Sequence, residues 1–186
     1  MTRYLLLERP EKYRTTRHGR LSSREDRYTA KKKLNFVITT GMKLILSHRG
    51  NYCGRLKNHE NTPSYISQAL DFGFDVEIDV WAVKGELFLG HDKPQFPIDK
   101  AYLSDPRFWI HCKNLEAAEL LSSDLSLNLF IHTEGVVVTT QGFLWTAPGG
   151  VITSRSIAVM PELAPGWDIS LAMGVCTDYP IKYIAK

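Results

Sequence analysis

The chain is sparing with cysteine. It has three in 186 residues, Cys53, Cys112 and Cys176, widely spaced and with no Cys-x-x-Cys pair. That excludes a disulfide scaffold and a cysteine-type zinc module, and makes a reducing cytoplasm the expected setting. Long apolar runs are also missing. None reaches the roughly 18 residues that a membrane-spanning helix needs. The cluster Tyr4 to Leu7 is too short for the apolar core of a secretory signal, and no small-residue cleavage site follows it. There is no internal repeat. Hydrophobic residues make up 44% and charged residues 23%, which excludes collagen-like, coiled-coil and wholly disordered chains.

Net charge is small, +3, but unevenly spread. Residues 1–42 hold 11 Lys/Arg against 4 Asp/Glu, and residues 43–186 hold 12 against 16. A basic head precedes a mildly acidic body. Arginines recur every three to four positions from Arg14 to Arg27 with no apolar face opposite them, so the head is expected to be a solvated, disordered extension. A polyanion-binding arm is the sharper alternative, and on that reading the chain is a nucleic-acid-associated protein. Met42, followed at once by an apolar strand, is a candidate natural start.

The body, residues 43–186, reads as alternating strands and helices. Lys43 to His48 is a short apolar strand. Thr62-Pro63 is a helix start, a hydroxyl cap with proline at the first turn, and Gly73 ends that helix. Phe74 to Val80 alternates strictly. Strands are also expected at Glu86–Gly90, Phe108–Cys112 and Leu127–Ile131, with a helix over about residues 114–122. Short apolar runs follow at 143–145, 157–160 and 174–176. Strand–helix alternation predicts an α/β fold with a parallel sheet. A full (β/α)₈ barrel takes at least about 200 residues, so a reduced or irregular TIM-type barrel is expected.

Four polar clusters fall near the ends of these elements: Ser47-His48-Arg49-Gly50, Glu60-Asn61-Thr62, Glu77-Ile78-Asp79 and His91-Asp92. Singly, each has an ordinary explanation: a structural histidine, a helix cap, the wet face of a strand. Together they would bring two imidazoles, three carboxylates and an arginine to one rim. Carboxylate oxygens suit a hard divalent cation such as Mg²⁺ or Ca²⁺. An arginine beside such a cation suits a phosphate group. Imidazole titrates near pH 6.5, so one histidine can accept a proton while another donates one. That set describes cleavage of a phosphate ester.

The ordered pattern H-R-G, E-N-T opening a helix, G-x-D-x-E-x-D and H-D resembles the glycerophosphodiester phosphodiesterase family, within the phospholipase C-like phosphodiesterases. The likeness covers residues 43–94 and extends to 109–113 and 174–180. It implies a barrel, a divalent metal ion, and a small-molecule phosphodiester substrate in lipid metabolism. His48 and His91 would be the catalytic histidines, with Arg49 at the phosphate. Glu77 and Asp79 would ligate the metal, with Glu60 at the same site. The family's further acidic ligand, two residues before a lysine, is replaced here by His111 ahead of Lys113. His111 would be a ligand that favours Mn²⁺ or Zn²⁺, or would leave a weaker two-carboxylate site. Lys113 would hold a phosphate oxygen. His132 and Glu134 would line the pocket. A barrel that binds a phosphorylated ligand without turnover is the alternative on this reading.

Overall fold

A computed structural model describes residues 43–132 and 135–184; the basic head and Glu134 lie outside them. Ten strands run in chain order: β1 Leu44–His48, β2 Asp75–Val83, β3 Glu86–Leu89, β4 Phe96–Ile98, β5 Phe108–Cys112, β6 Asn128–Phe130, β7 Val136–Val138, β8 Leu144–Thr146, β9 Ser156–Val159 and β10 Gly174–Thr177. Two short helices accompany them, α1 Pro63–Asp71 and α2 Leu115–Leu121.

Local chemistry accounts for both helices. Thr62 accepts from the N–H of Tyr65 and Pro63 opens the first turn of α1. Asn114 caps α2 through Ala117, and its amide also bonds both backbone groups of Ala82, tying the helix start to β2. Lys84 and Gly85 both take positive φ, the turn that matches the twist of the β2–β3 hairpin.

The sheet is one curled, open surface. Its main path is β4-β3-β2-β1-β10-β9-β8-β7, and β5 and β6 extend from the other edge of β2. The strands β6-β5-β2-β1-β10-β9-β8 are mutually parallel, while β3, β4 and β7 are antiparallel additions.

The expected reduced TIM-type barrel is therefore corrected. The described residues are mostly strand, with two helices rather than an outer helical layer. The cause lies past Leu121. Gly135, Gly142, Gly149, Gly150, Pro161, Pro165 and Gly166 punctuate the chain there, and the connections between strands are loops and 3-10 turns. Among the described residues no helix is long and apolar enough to cross a membrane.

Strand alternation separates two cores. Val76, Ile78 and Val80 point toward the helices and pack with Ile66, Ile110 and Leu121. Each such side chain contributes about 1.5–3 kcal/mol on burial. The concave side holds a second cluster of Leu46, Trp109, Phe130, Trp145, Ile157 and Cys176. Trp145 lies in ring contact there with Phe130 at 4.5 Å and with Trp109 at 6.1 Å between centroids. His48 and His111 lie toward the C-terminal ends of β1 and β5, and Glu77 and Asp79 stand beside them in the first half and middle of β2. The apolar floor shuts water out from beneath them.

Candidate functional site

Register brings the four clusters together. His48 is paired with Glu77 across β1 and β2, and Asp79 with His111 across β2 and β5. Glu77 and Asp79 are 2% and 0% exposed, so this Glu-x-Asp is a buried acidic pair and not a wet strand face. Buried charges of one sign need partners.

Asp79 has many. Its Oδ2 accepts from Asn61 Nδ2 at 2.8 Å and meets His91 Nδ1 at 3.1 Å; its Oδ1 meets His111 Nδ1 at 3.0 Å and Lys113 Nζ at 3.3 Å. Asn61 also accepts from the Asp79 backbone N–H, so the amide clasps the residue at two points. Arg49 Nε lies 3.0 Å from Oδ2 but off the N–H line, so that contact is an ion pair without a hydrogen bond. Burial works to raise the Asp79 pKa, yet the bonds from His111 and His91 and the charges of Arg49 and Lys113 carry it well below the ordinary range.

Glu77 is the opposite case. Its Oε2 accepts one bond, from the Arg49 backbone N–H at 3.2 Å. Among the described residues no donor reaches Oε1, and His111 Nδ1 stands 3.8 Å from it. Burial, then the neighbouring Asp79 charge, raises its pKa.

Arg49 sits in the left-handed region, φ 55°, a strained choice for a non-glycine residue. The strain is held by its N–H on the Glu77 backbone carbonyl and carboxylate. Its Nη1 donates to Glu60 Oε2 at 3.3 Å. Gly50 follows at φ 86°, where a Cβ would press on the backbone of α1. Burial tends to lower the Arg49 pKa, but Asp79, Glu77 and Glu60 raise it. Glu60 itself accepts from Arg49, Asn51 and Arg55. It therefore lies across the guanidinium from Asp79, fully engaged, and outside the group of Glu77, Asp79 and His111 whose ligand atoms come within 4.8 Å of one another.

Both expected catalytic histidines are anchored through Nδ1. His48 Nδ1 is 2.8 Å from Asp178 Oδ1, and His91 Nδ1 is 3.1 Å from Asp79 Oδ2. With those carboxylates ionised, Nδ1 carries the hydrogen and Nε2 keeps the lone pair. Asp178 is held ionised: burial opposes this, but His48, Asn51 and Arg49 outweigh it and lower its pKa. His91 is placed by Gly90, φ 148°, where a Cβ would overlap the Lys93 carbonyl oxygen. Lys113 Nζ is 3.4 Å from His91 Nδ1.

Three residues join the site that the motifs left without a role. Asp178 follows β10 and orients His48. Asn51 donates to both Asp178 and Glu60. Glu162 accepts from the Thr177 hydroxyl and the Asp178 N–H, fixing the turn that carries Asp178. Only Asp178 had a sequence signal: a carboxylate right after a strand, as at the other polar clusters. His132 lies at the margin, its ring 6.3 Å from His111, with its pKa lowered by burial despite a contact to the Gly135 carbonyl. The mate expected for it, Glu134, lies outside the described residues.

No family model, curated protein or solved structure matches the chain.

The donor set suits a divalent cation. Glu77 Oε1, Asp79 Oδ1 and His111 Nδ1 converge, and Glu77 Oε1 has no hydrogen-bond donor among the described residues.

Proposed function

We propose that this protein is a metal-dependent phosphodiester hydrolase acting on glycerophosphodiester-like substrates. The observation that supports it best is the pairing of two carboxylate-anchored imidazoles with a buried acidic pair in which Glu77 presents an oxygen that no donor reaches among the described residues. A lone metal site needs no oriented histidines, and a plain anion site needs no buried carboxylates.

A divalent ion held by Glu77, Asp79 and His111 supplies positive charge for the phosphoryl oxygens. The remaining work falls to the chain. Arg49 and Lys113, both resting on Asp79, are the cations in reach of a bound phosphodiester. The Arg49 Nη2 group makes no hydrogen bond among the described residues and offers a free donor. One imidazole takes a proton at Nε2 from the attacking oxygen, and the other gives one from Nε2 to the leaving alcohol. Asp178 and Asp79 each accept from Nδ1–H; the base starts neutral, with its Nε2 lone pair free, and ends as imidazolium, while the acid starts as imidazolium, protonated at Nε2 as well, and ends neutral. The aromatic floor of Trp109, Phe130 and Trp145 keeps the dielectric low and strengthens each of these interactions.

The test is hydrolysis of bis(p-nitrophenyl) phosphate and glycerophosphocholine by the full chain with added divalent metal. Turnover that EDTA stops is expected, and His48→Ala and His91→Ala should each abolish it with the protein still folded. A folded protein with no turnover under Mg²⁺, Ca²⁺, Mn²⁺ or Zn²⁺ would leave only ligand binding.

A further inference from the structure

The ligand set itself discriminates between ions. All-oxygen sites are what Mg²⁺ and Ca²⁺ favour, and Ca²⁺ takes six to eight oxygens at about 2.3–2.6 Å. Here the third donor is an imidazole nitrogen, 3.0 Å from Asp79 Oδ1. In the metal-free protein this contact is a hydrogen bond from the ring to the carboxylate, so binding an ion through Nδ1 releases that proton; the same spacing, roughly 3.0 Å, is that of two adjacent donors on an ion with bonds of about 2.1 Å. Neither neighbouring carboxylate is free to serve as a third in an oxygen shell: Glu60 is spent on Arg49, Asn51 and Arg55, and Asp178 on His48 and Asn51.

The surroundings hold His111 and Asp79 in place. The His111 ring stacks on Phe130 with 5.0 Å between centroids and 6° between planes, which limits its rotation. Asn61 fixes Asp79 Oδ2 and leaves Oδ1 turned toward His111. Supports of this kind change metal affinity about 10–100-fold. Glu77 brings independent testimony: a side chain 2% exposed presents Oε1 to the same gap with no hydrogen-bond donor among the described residues.

We propose that Glu77, Asp79 and His111 bind a divalent transition ion of the manganese-to-zinc series, and that His111 makes the site prefer it to Mg²⁺ and Ca²⁺. Imidazole suits these borderline ions and adds little for hard ones. The proposal shares its site with the hydrolase reading and rests on that reading's metal requirement, but its test uses no substrate.

The experiment is pulsed electron paramagnetic resonance of Mn²⁺ bound to the full chain, together with Zn²⁺, Mn²⁺ and Mg²⁺ affinities by calorimetry. One nitrogen coupled to bound Mn²⁺ is expected, and it should vanish in His111→Gln. In His111→Asp, the ratio of Zn²⁺ to Mg²⁺ affinity should fall at least tenfold. Bound Mn²⁺ with no nitrogen coupling, coupling that survives His111→Gln, or an unchanged ratio would each overturn the proposal. The unmodified protein's spectrum decides the point even if a variant does not fold. A nitrogen-coupled ion without turnover would sink the hydrolase reading and leave this one standing. Turnover with Mg²⁺ and no nitrogen coupling would do the reverse.

Discussion

Replacing Glu77 with glutamine should strengthen the metal-free protein and destroy its response to metal. The change keeps shape and volume. The one hydrogen bond that Glu77 accepts, from the Arg49 N–H at 3.2 Å, passes to the amide oxygen. What disappears is a buried charge whose pKa burial and Asp79 push upward, with imidazole nitrogens no nearer than 3.8 and 3.9 Å to offset it. Removing an under-compensated buried charge of this kind is worth about 1–2 kcal/mol. For a domain of this size that is a Tm gain of roughly 2–8 °C in EDTA. The sign with pH follows from the raised pKa. Any stability tied to Glu77 is present below its unfolded value, near 4.5, and is lost as pH rises through the folded one. The gap between variant and wild type should therefore open as pH climbs from about 4 toward neutrality. Metal reverses the ranking. An ion at 100 times its Kd stabilises wild type by about 2.7 kcal/mol, roughly 5–11 °C, while Glu77→Gln should move little. Thermal melts in EDTA and in Mn²⁺ read both effects. A glutamine variant less stable in EDTA, or equally stabilised by Mn²⁺, would refute the reasoning.

Other substitutions probe the scaffold of the site. Asp178→Asn should lower kcat about 10–100-fold while KM changes little, measured by steady-state kinetics, because His48 loses its anchor at Nδ1. The lowered Asp178 pKa means its stabilisation holds above the unfolded value, near 3.8, and fades as pH falls through the folded one. Acid titration followed by circular dichroism should thus show a shallower decline for Asp178→Asn than for wild type. Gly90→Ala should cost at least about 1–3 kcal/mol in denaturant unfolding, because both the positive φ and the Lys93 carbonyl oppose a Cβ.

Local signals carried far in this chain. The hydroxyl–proline start at Thr62-Pro63 and the alternation of Phe74 to Val80 are short-range features, and α1 and β2 stand where they point. The alternation also gave the shared face of Glu77 and Asp79. Its burial was not readable, since that depends on β1 and β5 flanking β2 and on the aromatic plug beneath. Two short strands escaped notice: Phe96–Ile98 contains a proline, and Val136–Val138 has no alternation. The reduced or irregular barrel rested on a strand–helix alternation that the described chain keeps only as far as Leu121; past it glycine and proline leave loops, and the sheet stays open. Asp178 pairs with His48 across 130 positions, and Asn51 with Asp178 across 127. Contacts that distant follow from the parallel β1–β10 register, which no local pattern announces.

The central claim meets its most direct trial in ³¹P NMR of glycerophosphocholine incubated with the full chain and Mn²⁺. The account predicts that the diester resonance gives way to a phosphomonoester or a cyclic phosphate, and that EDTA or His91→Ala preserves it. A diester signal unchanged under every divalent ion, with the protein folded and metal bound, would contradict it.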